Sequence, residues 1–136
     1  MTIRMDPQQN EVRVLRAAAH WRGVRVLEIG CGDGRLTLRL ARLGAIVEAI
    51  DPDAASIRRA RRRLRTELPP RLARQVRCQV GEGEHLNFPD ESFDRVLFAW
   101  SLRLGYRRSM PISSSRVHPT QLASGALQSV ILRSSP

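Results

Sequence analysis

Glu28-Ile29-Gly30-Cys31-Gly32-Asp33-Gly34 lies between a β-branched run and a segment of helical period, and its reading decides the fold. Residues 24–29 are apolar at Val24, Val26, Leu27 and Ile29 and close on glycine, the pattern of a buried strand. Residues 33–43 bring Leu36, Leu40 and Leu43 to one helical face, with Gly44 where a C-terminal cap belongs. Between them, glycines at 30, 32 and 34 let the chain turn sharply and leave its backbone open to a ligand. The following helix aims unpaired N–H groups and a partial positive charge at that turn, which suits an anionic ligand group.

The same alternation continues outward. Residues 46–50 read as a second strand ending at Asp51, 21 residues after Gly30. A carboxylate there can accept hydrogen bonds from both hydroxyls of a ribose. Residues 53–68 form a helix with Ile57, Ala60, Leu64 and Leu68 on its apolar face, halted by Pro69-Pro70. Residues 76–80 alternate strictly, as a strand with one less buried face does, and residues 93–100 make a fourth strand, apolar from Val96 to Trp100. Upstream, residues 8–20 read as a helix with Val12, Leu15, Ala18 and Ala19 on one side, ended by Trp21-Arg22-Gly23. Strands alternating with helices imply an α/β fold with a parallel sheet and right-handed crossovers.

Two ligands suit a glycine turn with an acid in this register: a dinucleotide or S-adenosylmethionine. The dinucleotide fingerprint wants a third glycine five positions after the first, where this chain has Arg35. The tighter G-x-G-x-G spacing favours the methyl donor, which has no pyrophosphate. Val26-Leu27-Glu28-Ile29-Gly30-Cys31-Gly32-Asp33-Gly34 resembles the first motif of class I S-adenosylmethionine-dependent methyltransferases. The stretch from Gly81-Glu82-Gly83-Glu84-His85 through Pro89-Asp90-Glu91-Ser92-Phe93-Asp94 resembles the segment leading into that family's fourth strand, in the branch acting mainly on small molecules.

The resemblance implies a Rossmann-like parallel sheet with helices on both faces, incomplete at about four strands, spanning residues 21–102. It implies a cofactor site of Glu28, Gly30, Cys31, Gly32, Gly34, Asp51, Pro52, Glu82, Gly83 and Ala99. The glycines would line the methionine end, with Cys31 a small turn residue among them, and Glu28 would order the loop. Asp51 would bind the ribose and Pro52 would flank the adenine. Glu82 stands where the family usually has an aspartate that reaches the adenine amino group, and Ala99 and Trp100 would face the methyl group. No catalytic residue is nominated, because no side chain before residue 103 stands out as a general base. No metal is expected: Cys31 and Cys78 form no ligand spacing.

Other residues have plainer readings. His85 is expected in a solvent-facing loop, and Trp21 in packing. The run Arg58-Arg59-Ala60-Arg61-Arg62-Arg63-Leu64-Arg65 falls on the solvated face of its helix, since the apolar positions already claim the other.

The chain has 136 residues and a formal charge of +10, with 23 arginines and no lysine. That excess is compatible with nucleic-acid contact, which would be nonspecific, and equally with a coding bias towards arginine. No apolar run approaches a membrane span and no secretory signal opens the chain, so a reduced, cytoplasmic setting is expected. Residues 103–136 hold five arginines, no acid and eight serines, against three serines in all that precedes. Periodicity fades there, and only Val130-Ile131-Leu132 suggests a short strand. The expected domains are a helical segment at 1–20, the cofactor-binding unit at 21–102 and a disordered or irregular Ser/Arg-rich tail at 103–136. A truncation or frame shift explains that tail best, a divergent tail that folds on a partner being the main competitor. Methyl transfer to an unidentified small molecule is the expected function. The alternatives are a non-catalytic S-adenosylmethionine-binding remnant and a basic nucleic-acid-binding protein.

Overall fold

The computed structural model describes residues 13, 15–17, 20–83, 85–89, 92–98, 117–120 and 128–132. Strand β1 (Arg25–Ile29) leads through the glycine turn into helix α1 (Arg35–Arg42), and β2 (Ile46–Asp51) into α2 (Ala54–Glu67). A single turn of helix, α3 (Pro70–Ala73), precedes β3 (Val76–Val80), and β4 (Arg95–Phe98), β5 (Val117–Thr120) and β6 (Gln128–Leu132) follow. Among the described residues these strands form one sheet in the order β3-β2-β1-β4-β6-β5. The first four are mutually parallel, with Val26 opposite Val47 on one side and Leu27 opposite Val96 on the other.

Local chemistry sets the helix boundaries. α1 ends at Gly44, whose φ of 90° is open to glycine at little cost. The Gly44 N–H bonds to the Ala41 carbonyl and the Ala45 N–H to Leu40, both at about 3 Å, a Schellman closure. α2 is opened by Asp53, whose carboxylate accepts from the backbone N–H of Ala55 and Ser56 and from the Ser56 hydroxyl. Pro69 forces the preceding residue out of the helical region and so ends α2 at Leu68. The second proline does the reverse. Pro70 occupies the first position of α3, where its missing N–H costs nothing, so the pair that halts one helix starts another.

Among the described residues the helices α1 and α2 lie on one face of the sheet. Leu36, Leu40, Ala41, Ile57, Ala60 and Leu64 pack with Val26, Val47, Ala49, Cys78 and Leu97 in a single buried cluster. Right-handed crossovers from β1 to β2 to β3 step the sheet in one direction and therefore keep α1 and α2 on the same side. The opposite face, where the sequence expects helices too, carries Leu27, Ile29, Ile50 and Val96. Among the described residues it is covered by Leu86, Phe88 and Phe93 from the β3–β4 connection. Trp21 is buried as expected, donating to the Leu15 carbonyl at 2.7 Å with the Arg95 guanidinium over its ring. Of the expected N-terminal helix, residue 13 and residues 15–17 are described, and all are helical.

Beyond β4 the strand suggested by Val130-Ile131-Leu132 exists and is longer. As β6 it pairs antiparallel with β4, Val96 opposite Val130, and β5 pairs antiparallel outside it. The four-stranded parallel unit thus gains a cover on its β4 edge. Pro119 sits in β5 at the rim of the sheet, the place where a strand tolerates a residue with no N–H.

Candidate functional site

The carboxyl ends of β1, β2 and β3 meet around the glycine turn. Gly30, Gly32 and Gly34 have φ of 79°, 56° and 85°, a left-handed backbone that disfavours any residue with a Cβ. The turn leans on the end of β2: the N–H groups of Gly30 and Cys31 both donate to the Ile50 carbonyl, at 2.8 and 3.0 Å. Asp51, 8% exposed, holds the turn from its other side. One of its carboxylate oxygens accepts the Gly32 N–H at 2.9 Å and the other accepts the Asp53 N–H at 2.9 Å. Gly32 and Gly34 differ in surroundings. A Cβ on Gly32 would meet no described atom within 4 Å, whereas one on Gly34 would lie 3.1 Å from the Ala60 Cβ in α2. Gly32 borders open space, and Gly34 allows α2 to approach.

Glu28 lies beneath this turn on the helix-covered face, fully buried. Its Oε2 accepts from the Thr37 hydroxyl of α1 at 2.6 Å, and its Oε1 has no partner among the described residues. Burial pushes its carboxyl from 4.5 up to about 7, against the opposing influence of the Thr37 hydroxyl and the Arg35 charge. Glu28 therefore ties β1 to α1 across the turn. Thr37 is the partner that sequence reading missed, and no spacing signal between the two would have revealed it.

The remaining expected residues are distributed as follows. Cys31 is buried and its thiol is pushed well above its ordinary value, chiefly by burial and then by Glu28, which fits a turn residue and not a nucleophile. Cys78 is pushed up to about 12 for the same first reason. Pro52 is exposed beside Asp51. Val80, 55% exposed, stands opposite Asp51 in the β2–β3 register, an apolar surface at the mouth that sequence reading also missed. Glu82 follows β3 with an exposed side chain that meets His85 Nδ1 at 3.5 Å, and Gly83 is buried. His85 is solvent-facing, as expected. Ala99 and Trp100 lie outside the described residues.

Two further features bound the chemistry. Among the described residues no group of three or more His, Cys, Asp or Glu could hold a metal ion. A cleft of about 470 Å³ opens at the amino ends of β1–β3, lined by Arg25, Ile46, Glu48, Arg74 and Arg77, at the opposite end of the sheet from the glycine turn. It shares no residue with the turn.

With the turn, its acid and the strand order in place, comparison with known proteins is specific. A family profile described as a methyltransferase domain matches residues 26–111. The chain belongs to that family. Its glycine turn and strand order are those of the class I S-adenosylmethionine-dependent methyltransferase fold, as the sequence implied. The chain is 40% identical over 76 residues to the mitochondrial ubiquinone biosynthesis O-methyltransferase of Rattus norvegicus, covering 55% of this chain and 21% of that protein. It is 33% identical over 96 residues to the demethylmenaquinone methyltransferase of Tropheryma whipplei strain Twist, covering 62% of this chain and 37% of that one. The crystal structure of the glycopeptide N-methyltransferase MtfA, complexed with sinefungin, superposes with a TM-score of 0.58 at 26% identity, covering 68% of this chain and 36% of that chain. The chain thus spans well under half the length of the curated relatives it matches. Among the described residues no helix is long and apolar enough to cross a membrane.

Proposed function

We propose that this chain is the cofactor-binding part of an S-adenosylmethionine-dependent methyltransferase whose acceptor is a small molecule. The observation that carries the reading is the Asp51 carboxylate at the mouth of the glycine turn. Each of its oxygens has accepted one backbone N–H and keeps a lone pair for a ribose hydroxyl. The open space over Gly32 suits a ligand lying against the main chain.

In this reading Gly30, Cys31 and Gly32 border the methionine end, while Gly34 keeps α2 close and Glu28 holds β1 to α1 below. Pro52 and Val80 flank the adenine, with Glu82 and Gly83 at the end of β3 beyond them. Ala99 and Trp100 belong to the acceptor side. The bound sulfonium supplies an electrophilic methyl group, so the protein's work is to hold and align the partners and exclude water. The names of the rat and T. whipplei relatives, both tied to quinones, support a small-molecule acceptor. Two buried free cysteines support a reducing, cytoplasmic compartment.

Calorimetric titration with S-adenosylhomocysteine and with NAD tests the assignment. Tighter binding of S-adenosylhomocysteine is expected, and tighter binding of NAD would overturn it. A methyl-transfer assay against a small-molecule extract then separates an enzyme from a module that only binds the cofactor.

A further inference from the structure

Two side chains of the α2 arginine run do not simply face solvent: Arg61, whose Nε donates to the Cys78 carbonyl of β3 at 2.9 Å, and Arg63. Arg63 is half-buried and reaches the glycine turn, its Nη2 3.2 Å from Oδ2 of Asp33. Its Nε lies 3.8 Å from Glu67, which in turn lies 3.7 Å from Arg42 in the last turn of α1. Asp33 precedes α1 and Arg42 ends it, so the charges run as a ladder along the seam between α1 and α2. At the same seam Gly34 rests on Ala60, one turn before Arg63, where a Cβ would stand only 3.1 Å from the Ala60 Cβ. Close packing fixes how near α2 comes to the turn. The ion pair fixes where the middle of the turn stands along that helix.

We propose that Arg63 is a positioning residue for the cofactor turn, acting through Asp33 to hold Gly32 and Gly34 in their ligand-ready, left-handed conformations. The proposal rests on the function read above, and its consequence for the free protein does not. Asp33 lies between two glycines, the residues least able to hold a conformation by themselves, so an external tether here has more to restrain than it would in a strand or helix. The pair is partly solvent-exposed, with side chains 33% and 47% accessible, so its effect is modest and weakens with salt.

The test uses the full chain and five variants: Arg63→Met, Arg63→Lys, Asp33→Asn, the double variant of Arg63→Met with Asp33→Asn, and Arg62→Met as an exposed neighbour on the same helix. Arg63→Met is expected to bind S-adenosylhomocysteine roughly two- to fivefold more weakly than wild type. The double variant should be no weaker than the weaker single one, and Arg63→Lys should restore part of the loss. In the ligand-free protein, amide hydrogen exchange across residues 30–36 should quicken by a similar factor in Arg63→Met and not in Arg62→Met. Equal loss in Arg62→Met, additive losses in the double variant, or unchanged exchange across the turn would each overturn the proposal. If wild type binds no S-adenosylhomocysteine at all, the functional reading fails, and the exchange comparison still decides the role of Arg63.

Discussion

Glu28 is fully buried, with one carboxylate oxygen bonded to Thr37 and the other without a partner among the described residues. Burial raises its carboxyl from 4.5 to about 7, so the folded chain holds this proton more tightly than the unfolded one. Below the lower value both states are protonated, and above the upper value both have lost the proton. Between them the folded state binds more protons, and stability must fall as pH rises. The interval from 4.5 to about 7 corresponds to about 3 kcal/mol, a large fraction of the 5–15 kcal/mol typical of a domain. Glu28→Gln removes the titration and keeps an oxygen for Thr37. It also leaves an amide without an acceptor where Oε1 stood, a cost of about 1–3 kcal/mol at every pH. The height of the variant's stability curve is therefore set by two opposing effects, but its slope is set by one. Urea denaturation followed by circular dichroism across this pH range should show wild type losing about 3 kcal/mol relative to Glu28→Gln between the two values. Asp94, held below the usual carboxylate range by its hydrogen bond from Arg25, contributes equally to both proteins and cancels in the difference. Parallel curves would refute the assignment of Glu28 as a buried, proton-binding tie.

Asp51→Ala should weaken S-adenosylhomocysteine binding by about 1.5–3 kcal/mol for each of up to two charge-assisted hydrogen bonds lost. Asp53→Ala should instead lower the thermal midpoint by removing the α2 cap, and equal effects on affinity would show that the end of β2 has been misassigned. Gly32→Ala and Gly34→Ala each impose about 1–2 kcal/mol for a left-handed residue, but only Gly34→Ala also pushes on Ala60. Thermal melts should therefore show the larger loss for Gly34→Ala, and titrations the larger fractional loss of ligand affinity for Gly32→Ala. Arg58, Arg62 and Arg65 lie exposed on one outward stripe of α2, and any nucleic-acid binding they confer should be nonspecific. Replacing all three by Gln should flatten the slope of log affinity against log salt on duplex DNA by up to about 3, whereas sequence-selective binding at physiological salt would contradict this reading.

The parallel unit was legible because its strands are buried and bounded. Residues 24–29, 46–50 and 76–80 match β1, β2 and β3 to within a residue at each end, since continuous or alternating apolar runs between glycines and charges have few other uses. Helix α2 was legible from its apolar spacing, and the same spacing explains why Arg58, Arg59 and Arg62 face water. α3 was hidden because Pro69-Pro70 reads as a stop, and only the position of the second proline within the next turn makes it a start. β5 was hidden because Val117-His118-Pro119-Thr120 has no strand pattern of its own and owes its extension to pairing with β6. The site divided along similar lines. Gly30, Gly32 and Asp51 announce themselves by local spacing. Thr37 as the partner of Glu28 and Arg63 as the partner of Asp33 depend on the crossovers that bring α1 and α2 over the turn, and contacts of that kind leave no mark in the local sequence.

The strand order also explains why so much of the site lies in so little chain. β1 sits between β2 and β4, which places the turn leaving β1 beside the carboxyl ends of both neighbours. The glycine turn, Asp51 and Val80 all stand at that end. β4 needs a backbone partner on its far edge, and β6 supplies one by antiparallel pairing, which satisfies its N–H and C=O groups as a parallel neighbour would. The sheet's second face lies away from α1 and α2. The cover there, among the described residues, is left to the segment carrying Leu86, Phe88 and Phe93, whose two rings meet edge to face at 5.0 Å. That segment continues directly from Glu82 and Gly83. The end of β3 that flanks the proposed adenine position is therefore anchored by the same residues that close the core beneath Leu27 and Ile29. Loosening the Phe88–Phe93 pair should disturb the cofactor site and the sheet together, whereas loosening the Arg63–Asp33 pair should disturb the turn alone.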